Sequence, residues 1–296
     1  MSRTLFASSA AVLALMAISP AARAERLVAV ADGGRLISFR STNPGAVLTS
    51  RNITGLDMGA SLVGIDYRPS NKTLYGVSSN SKLYTINQVN GKASLVGTFN
   101  VPLMGSFFGM DFNPAVDRLR LVSDTGQNLR INPDNAMVAT NLSPGGDLPL
   151  NYSGVPAMGI VAAAYTNNVA GAKTTTLYVI DSLLDQLVIQ GPMPPLMGPN
   201  QGALKAVGPI GFNPTPRTGF DISGQTGLAF VSSGNNLWTI DLTLATSPKL
   251  LGAIAPGRGL EIAAISVAPV PEPGTWAMIA TGMIGLVAAY RRRRAQ

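Results

Sequence analysis

Three aspartates recur at one place in a repeated pattern. Asp66 lies in GIDYRP from Gly64, Asp111 in GMDFNP from Gly109, and Asp221 in GFDISG from Gly219. Ala164 and Ser266 take the same place in AAAYTN from Ala162 and AISVAP from Ala264. Carboxylates gathered at a common axis could hold a hard cation such as calcium through oxygen ligands. A metal-dependent hydrolase or lyase is the activity such a site would support. The recurrence also has a structural reading, in which an Asp on an inner strand accepts backbone N–H groups of its neighbour. Ligands for one site need not repeat, whereas architecture must. The structural reading is therefore preferred, no cofactor is assigned, and the three aspartates stand as candidates only.

Other chemistry is bounded by absences. The chain has no Cys and no His, which removes thiolate zinc sites, cysteine nucleophiles, Ser-His-Asp triads and imidazole acid–base catalysis. Asp32-Gly-Gly, Asp124-Thr-Gly and Asn132-Pro-Asp134 resemble short cation loops, but they lack the alternating acidic spacing of an EF-hand and fit ordinary turn chemistry. Arg118, Arg120 and Arg130 form one local basic group. Arg118 and Arg120, two apart on a strand, share a face; with Asp117 and Asp124 near in sequence, they read as a solvated charged face rather than an anion site. No catalytic residue is assigned.

The elements that must position these residues are short strands. Five hairpins align, starting at Leu27, Thr73, Leu119, Leu177 and Leu228, with spacings of 46, 46, 58 and 51 residues. Each is an apolar run, a polar turn and a second apolar run. Outer strands align at Val96-Gly97, Val207-Gly208 and Leu251-Gly252, and the aspartate segments supply inner strands. Four-stranded units repeating at this length predict a propeller of five blades. The first unit lacks an inner strand before it, and Ala264 to Pro269 matches the missing one. The C-terminal strand is thus expected to pair with Leu27 to Ala31 and complete the N-terminal blade. Two Pro- and Gly-rich stretches, 143–158 and 191–201, interrupt the period and read as surface loops, with Asp147 their one acidic residue.

The ends differ from the middle. Residues 1–24 have a basic start at Arg3, an apolar run from Leu5 to Ile18 and a small-x-small end at Ala24, which is a signal peptide for signal peptidase. Six of the 22 basic residues lie in the terminal segments, leaving 16 against 15 acidic ones. A middle so nearly neutral carries no nucleic-acid footprint. Residues 270–296 contain Pro271-Glu272-Pro273, an apolar run over 275–290 and a positive stop at Arg291, Arg292, Arg293 and Arg294. That is a short membrane-crossing segment with its arginines favouring the cytoplasmic side.

This tail closely resembles the PEP-CTERM sorting tail of Gram-negative bacteria. The resemblance implies an exosortase-type protease as partner, a transient membrane anchor, and delivery to the cell surface or matrix. The middle, through GMDFNPAVDRLRLVSDTGQNLRINPD, AAYTNN and LYVIDSLLDQL, resembles the bacterial domain-of-unknown-function 4394 family, which implies a propeller-like fold and no established activity. The organisation expected is a signal peptide over 1–24, an all-β five-bladed propeller over 25–269, and a sorting tail over 270–296. The function expected is an exported, non-catalytic binding or structural module.

Overall fold

The computed structural model describes residues 24–191 and 198–269. The signal segment before Ala24, the Pro271-Glu272-Pro273 signature, the apolar run 275–290 and Arg291 to Arg294 lie outside the described residues. Among the described residues no helix is long and apolar enough to cross a membrane.

Period-two alternation and frequent turn residues make strands nearly everywhere. Blade 1 holds β1 (Arg26–Ala31), β2 (Arg35–Arg40) and β3 (Thr49–Asn52). Blade 2 holds β4 (Leu62–Arg68), β5 (Thr73–Ser78), β6 (Lys82–Ile86) and β7 (Ala93–Thr98). Blade 3 holds β8 (Phe108–Asn113), β9 (Arg118–Ser123) and β10 (Asn128–Ile131). A two-stranded hairpin follows, β11 (Asn151–Tyr152) with β12 (Val155–Pro156). Blade 4 holds β13 (Ile160–Tyr165), β14 (Leu177–Asp181), β15 (Gln186–Gln190) and β16 (Leu204–Pro209). Blade 5 holds β17 (Thr218–Ile222), β18 (Ala229–Ser233), β19 (Asn236–Ile240) and β20 (Lys249–Ala253). The last strand, β21 (Ile262–Val267), returns to blade 1. The fold is an all-β, five-bladed propeller.

The closing pair is β1 with β21, in the register Leu27↔Val267, Val28↔Ser266, Ala29↔Ile265 and Val30↔Ala264. The inner strands β21, β4, β8, β13 and β17 then follow one another around a closed ring, so no inner sheet edge stays open. Blade 3 lacks a full outer strand: Asn132-Pro133-Asp134-Asn135 turns the chain, and a single bridge, Ile131↔Val138, stands in its place. In blades 2, 4 and 5 the register of the third and outer strands shifts between Leu83/Tyr84, Leu187/Val188 and Leu237/Trp238, leaving one extra outer-strand residue beside Gly97, Gly208 and Gly252.

The apolar core is divided into five seams, one between each pair of neighbouring blades. Tyr75, Leu83 and Phe112 fill the seam of blades 2 and 3, for example, and Leu27, Phe39 and Phe230 that of blades 5 and 1. Each such side chain contributes roughly 1.5–3 kcal/mol on burial, so the blades are held together by the same contacts that order them.

At the axis the inner strands approach closely. A Cβ on Gly109 would lie 2.4 Å from the carbonyl carbon of Ala162 and 2.5 Å from the nitrogen of Ala163. One on Gly219 would lie 2.7 Å from the nitrogen of Ile265. At Gly109 and Gly219 the obstacle includes backbone, so glycine is what the packing demands there, whereas a Cβ on Gly64 would meet the Met110 side chain at 2.9 Å. The cavity left among Gly64, Gly109, Ala162, Gly219 and Ala264 is about 10 Å³, room for about one water.

Candidate functional site

Strand pleating puts residues i and i+2 on one face, so the small residues and the aspartates form successive layers along the axis. The aspartate layer is Asp66, Asp111, Ala164, Asp221 and Ser266, all buried. Carboxylate oxygens of the three aspartates lie within 4.8 Å of one another.

A cyclic hydrogen-bond rule links the layer. Each polar side chain accepts from the backbone amide that follows the equivalent position in the next blade. Asp66 Oδ2 accepts Phe112 N at 2.9 Å, Asp221 Oδ2 accepts Val267 N at 2.5 Å, and Ser266 Oγ accepts Tyr67 N at 3.3 Å. Ala164 breaks the ring, having no acceptor to offer Ile222. That amide instead donates to Asp221 Oδ1 in its own strand, at 2.6 Å. Asp111 faces the Tyr165 amide, but neither of its oxygens completes a hydrogen bond of normal geometry.

Ser266 reveals a proton. Its hydroxyl lies 2.7 Å from Asp66 Oδ1 and 3.0 Å from Asp221 Oδ2. One hydroxyl carries one hydrogen, so one of these contacts needs a hydrogen from a carboxylic acid. Both carboxyls also accept backbone amides, so the proton belongs to the line Asp66, Ser266 and Asp221 as a unit. Burial pushes the Asp66 carboxyl well above the usual range, and the Asp221 charge pushes it further. Asp221 is raised to about 7, again chiefly by burial, its amide bonds opposing the shift. Asp111 is raised well above the usual range by burial and then by Asp66 and Asp221. Burial and mutual repulsion thus both oppose full ionisation of the layer. Asp111, with Asp66 and Asp221 beside it, is also where a cation would find free oxygens.

The loop candidates resolve into turn and pairing roles. Asp32 pairs with Arg217. Asp124 Oδ1 accepts Ser106 N at 2.9 Å, and Asn132 Oδ1 accepts Asp134 N at 3.0 Å. Asp117 and Asp134 are held by Arg68 at the end of β4, the first in a two-pronged pair at 2.8 and 2.6 Å and the second at 2.6 Å. This clamp ties blade 2 to blade 3, and the Arg68 guanidinium holds the Asp117 carboxyl below its usual range.

The expectation of a solvated arginine face fails at Arg120, which is 3% exposed. Its guanidinium donates to Asp147 Oδ2 at 2.8 Å, Asn128 Oδ1 at 2.7 Å and Asn200 Oδ1 at 2.5 Å. Arg130 donates to the same Asp147 at 3.1 and 3.2 Å. Asp147 and Asn200 come from the two period-breaking stretches, so both insertions converge on β9 and β10. Sequence spacing pointed to the shared face of Arg118 and Arg120; the buried partners, 27 and 80 residues from Arg120, left no local signal.

A search of curated proteins finds no match. Solved structures similar to this chain include those of three other proteins. One is that of a nidogen/laminin complex, at 9% identity, 83% coverage of this chain and 98% of the other, and a TM-score of 0.47. Another is that of glutaminyl cyclase from Myxococcus xanthus, at 12% identity, 78% and 84% coverage, and a TM-score of 0.43. A third is that of a protein of unknown function from Bacteroides thetaiotaomicron, at 11% identity, 76% and 56% coverage, and a TM-score of 0.45. The model of the PEP-CTERM protein-sorting motif matches residues 269–294. The model of the domain of unknown function DUF4394 matches residues 35–265, from the second strand to the closing one, and the chain belongs to that family.

Proposed function

We propose that this chain is an exported propeller, carried across the inner membrane by residues 1–24 and freed from a transient anchor by an exosortase-type protease. At the cell surface or in the matrix it acts as a rigid, non-catalytic binding or structural module. The sorting motif that begins two residues beyond β21 carries the delivery. The non-catalytic reading is supported by the axial acids: Asp66, Asp111 and Asp221 are 0–1% exposed, and the cavity at the glycine layer beside them is only about 10 Å³. Fractionation with intact-mass analysis, in a host that makes the sorting protease, tests the delivery. A protein that loses residues beyond the signature and leaves the inner membrane supports it, and Glu272→Ala should block that processing. A full-length chain lodged in the inner membrane refutes it.

A second reading, a divalent cation among the three carboxylates, is favoured by one observation, the two unpartnered oxygens of Asp111. A hydrolase or lyase would need both that ion and an opening to it. Metal analysis after incubation with calcium separates the readings: stoichiometric calcium lost in Asp111→Asn establishes the ion, and its absence leaves the protonated layer.

A further inference from the structure

We propose that the cavity between blades 3 and 4 is a binding site for a small oxyanion, with Arg118, Arg120 and Arg130 as its charged contacts. The inference deepens the binding-module reading and rests on it for the claim that binding is the protein's role.

The cavity is about 380 Å³, within the roughly 300–1,000 Å³ range of pockets that take small molecules. It is lined by the three arginines together with Asn113, Tyr165 and Asn200. Val116, 59% exposed, also lines it, so the cavity opens to the surface. Its lining is rich in donors, with Val116, Leu119, Pro199 and the Tyr165 ring adding apolar surface.

Charge decides the kind of ligand. Three guanidiniums meet one nearby carboxylate, Asp147, which Arg120 and Arg130 share. Asp117, next to Arg118 in sequence, is held by Arg68. Among the described residues Arg118 makes no ion pair, and its side chain bonds only the Asp117 carbonyl, at 2.9 Å. Arg68 is itself shared by Asp117 and Asp134, so four arginines face three aspartates and the group keeps one excess positive charge, which favours an anion. Arginine forks are suited to the planar oxygens of carboxylate and phosphate.

A second observation points the same way. Arg120 is buried at the cavity wall, and its terminal nitrogens donate to Asp147, Asn128 and Asn200. Its charge is therefore fixed in place before any ligand arrives. The Tyr165 hydroxyl lies beside the same guanidinium. Both segments that break the repeat, 143–158 and 191–201, supply residues to this network through Asp147 and Asn200. A plain blade needs neither insertion, and their convergence here gives them a common purpose.

The test is titration calorimetry on the full-length protein with malate, inorganic phosphate and acetate, at low salt. Malate or phosphate should bind, acetate should bind about tenfold more weakly, and Arg118→Ala should weaken binding of the oxyanion about tenfold, near 1.4 kcal/mol. Arg118 stands outside the buried network, so its variant should melt at the wild-type temperature. Preference for malate assigns an organic dicarboxylate, and preference for phosphate assigns a phosphate group; both support the pocket. Absence of binding at about 10 mM, weaker than the millimolar range worth about −4 kcal/mol, overturns it. So does binding that Arg118→Ala leaves unchanged. Loss of anion binding in a correctly delivered protein refutes the pocket alone, whereas faulty delivery with intact binding refutes the sorting alone.

Discussion

Asp111→Asn should stabilise the propeller at neutral pH, and the gain should shrink as the solution is acidified. In the folded protein Asp111 is buried, without a hydrogen bond of normal geometry, and burial holds its carboxyl well above the usual carboxylate range. In the unfolded chain it ionises near pH 4. A group raised on folding gives its full stability below the unfolded value and loses it as pH rises toward and through the folded one. The loss is about 1.4 kcal/mol per pH unit for one proton. Between about pH 5 and 7 the variant should therefore gain steadily on the wild type. Asp66 and Asp221 titrate in both proteins, and replacing a neutral acid with a neutral amide leaves the field on them unchanged. Urea unfolding at pH 5, 6 and 7 measures the slopes. Parallel slopes would show that Asp111 is not protonated in the fold. A variant less stable at every pH, together with calcium lost from the site, would replace the proton with an ion.

Gly109→Ala should cost about 1–3 kcal/mol, the range for overpacking, because its methyl would meet the backbone of Ala162 and Ala163; thermal melting measures it. Deleting Leu260 to Pro269 removes β21 and bares the inner edge of β1, so aggregation or loss of a cooperative melt is expected, and a cooperative, soluble product would refute the closure. Arg68→Met should lower stability by about 2 kcal/mol, less than the loss at a fully buried pair because Asp117 is partly in water. That loss should fade in acid, since a carboxyl held below its usual range stabilises only while ionised.

The legible parts of the sequence were those repeated in every blade. Hairpins announced themselves through local alternation, and the displaced inner strand through its match to GIDYRP. The glycine preceding each aspartate was visible as a pattern, although its reason at Gly109 and Gly219, backbone meeting backbone across blades, needed coordinates. Protonation was hidden because it depends on one hydroxyl, Ser266, lying between Asp66 and Asp221, some 200 and 45 residues away. The arginine cavity was read as surface because partners near in sequence, Asp117 and Asp124, were taken as its neighbours. The real partner, Asp147, lay in an insertion that has no counterpart in the other blades.

The junction of the closing strand with the sorting motif sets a limit on clearance. β21 ends at Val267, and Pro271 follows four residues later. Even fully extended, that stretch reaches no more than about 14 Å. Any enzyme that reads the signature on the finished protein must bring its active site to within that distance of a bulky ring. Trimming only a few residues further in would unzip the first blade. Cutting is thus safe only on the outer side of a narrow margin, and lengthening the stretch with a few flexible residues should make the same signature easier to reach without touching the fold.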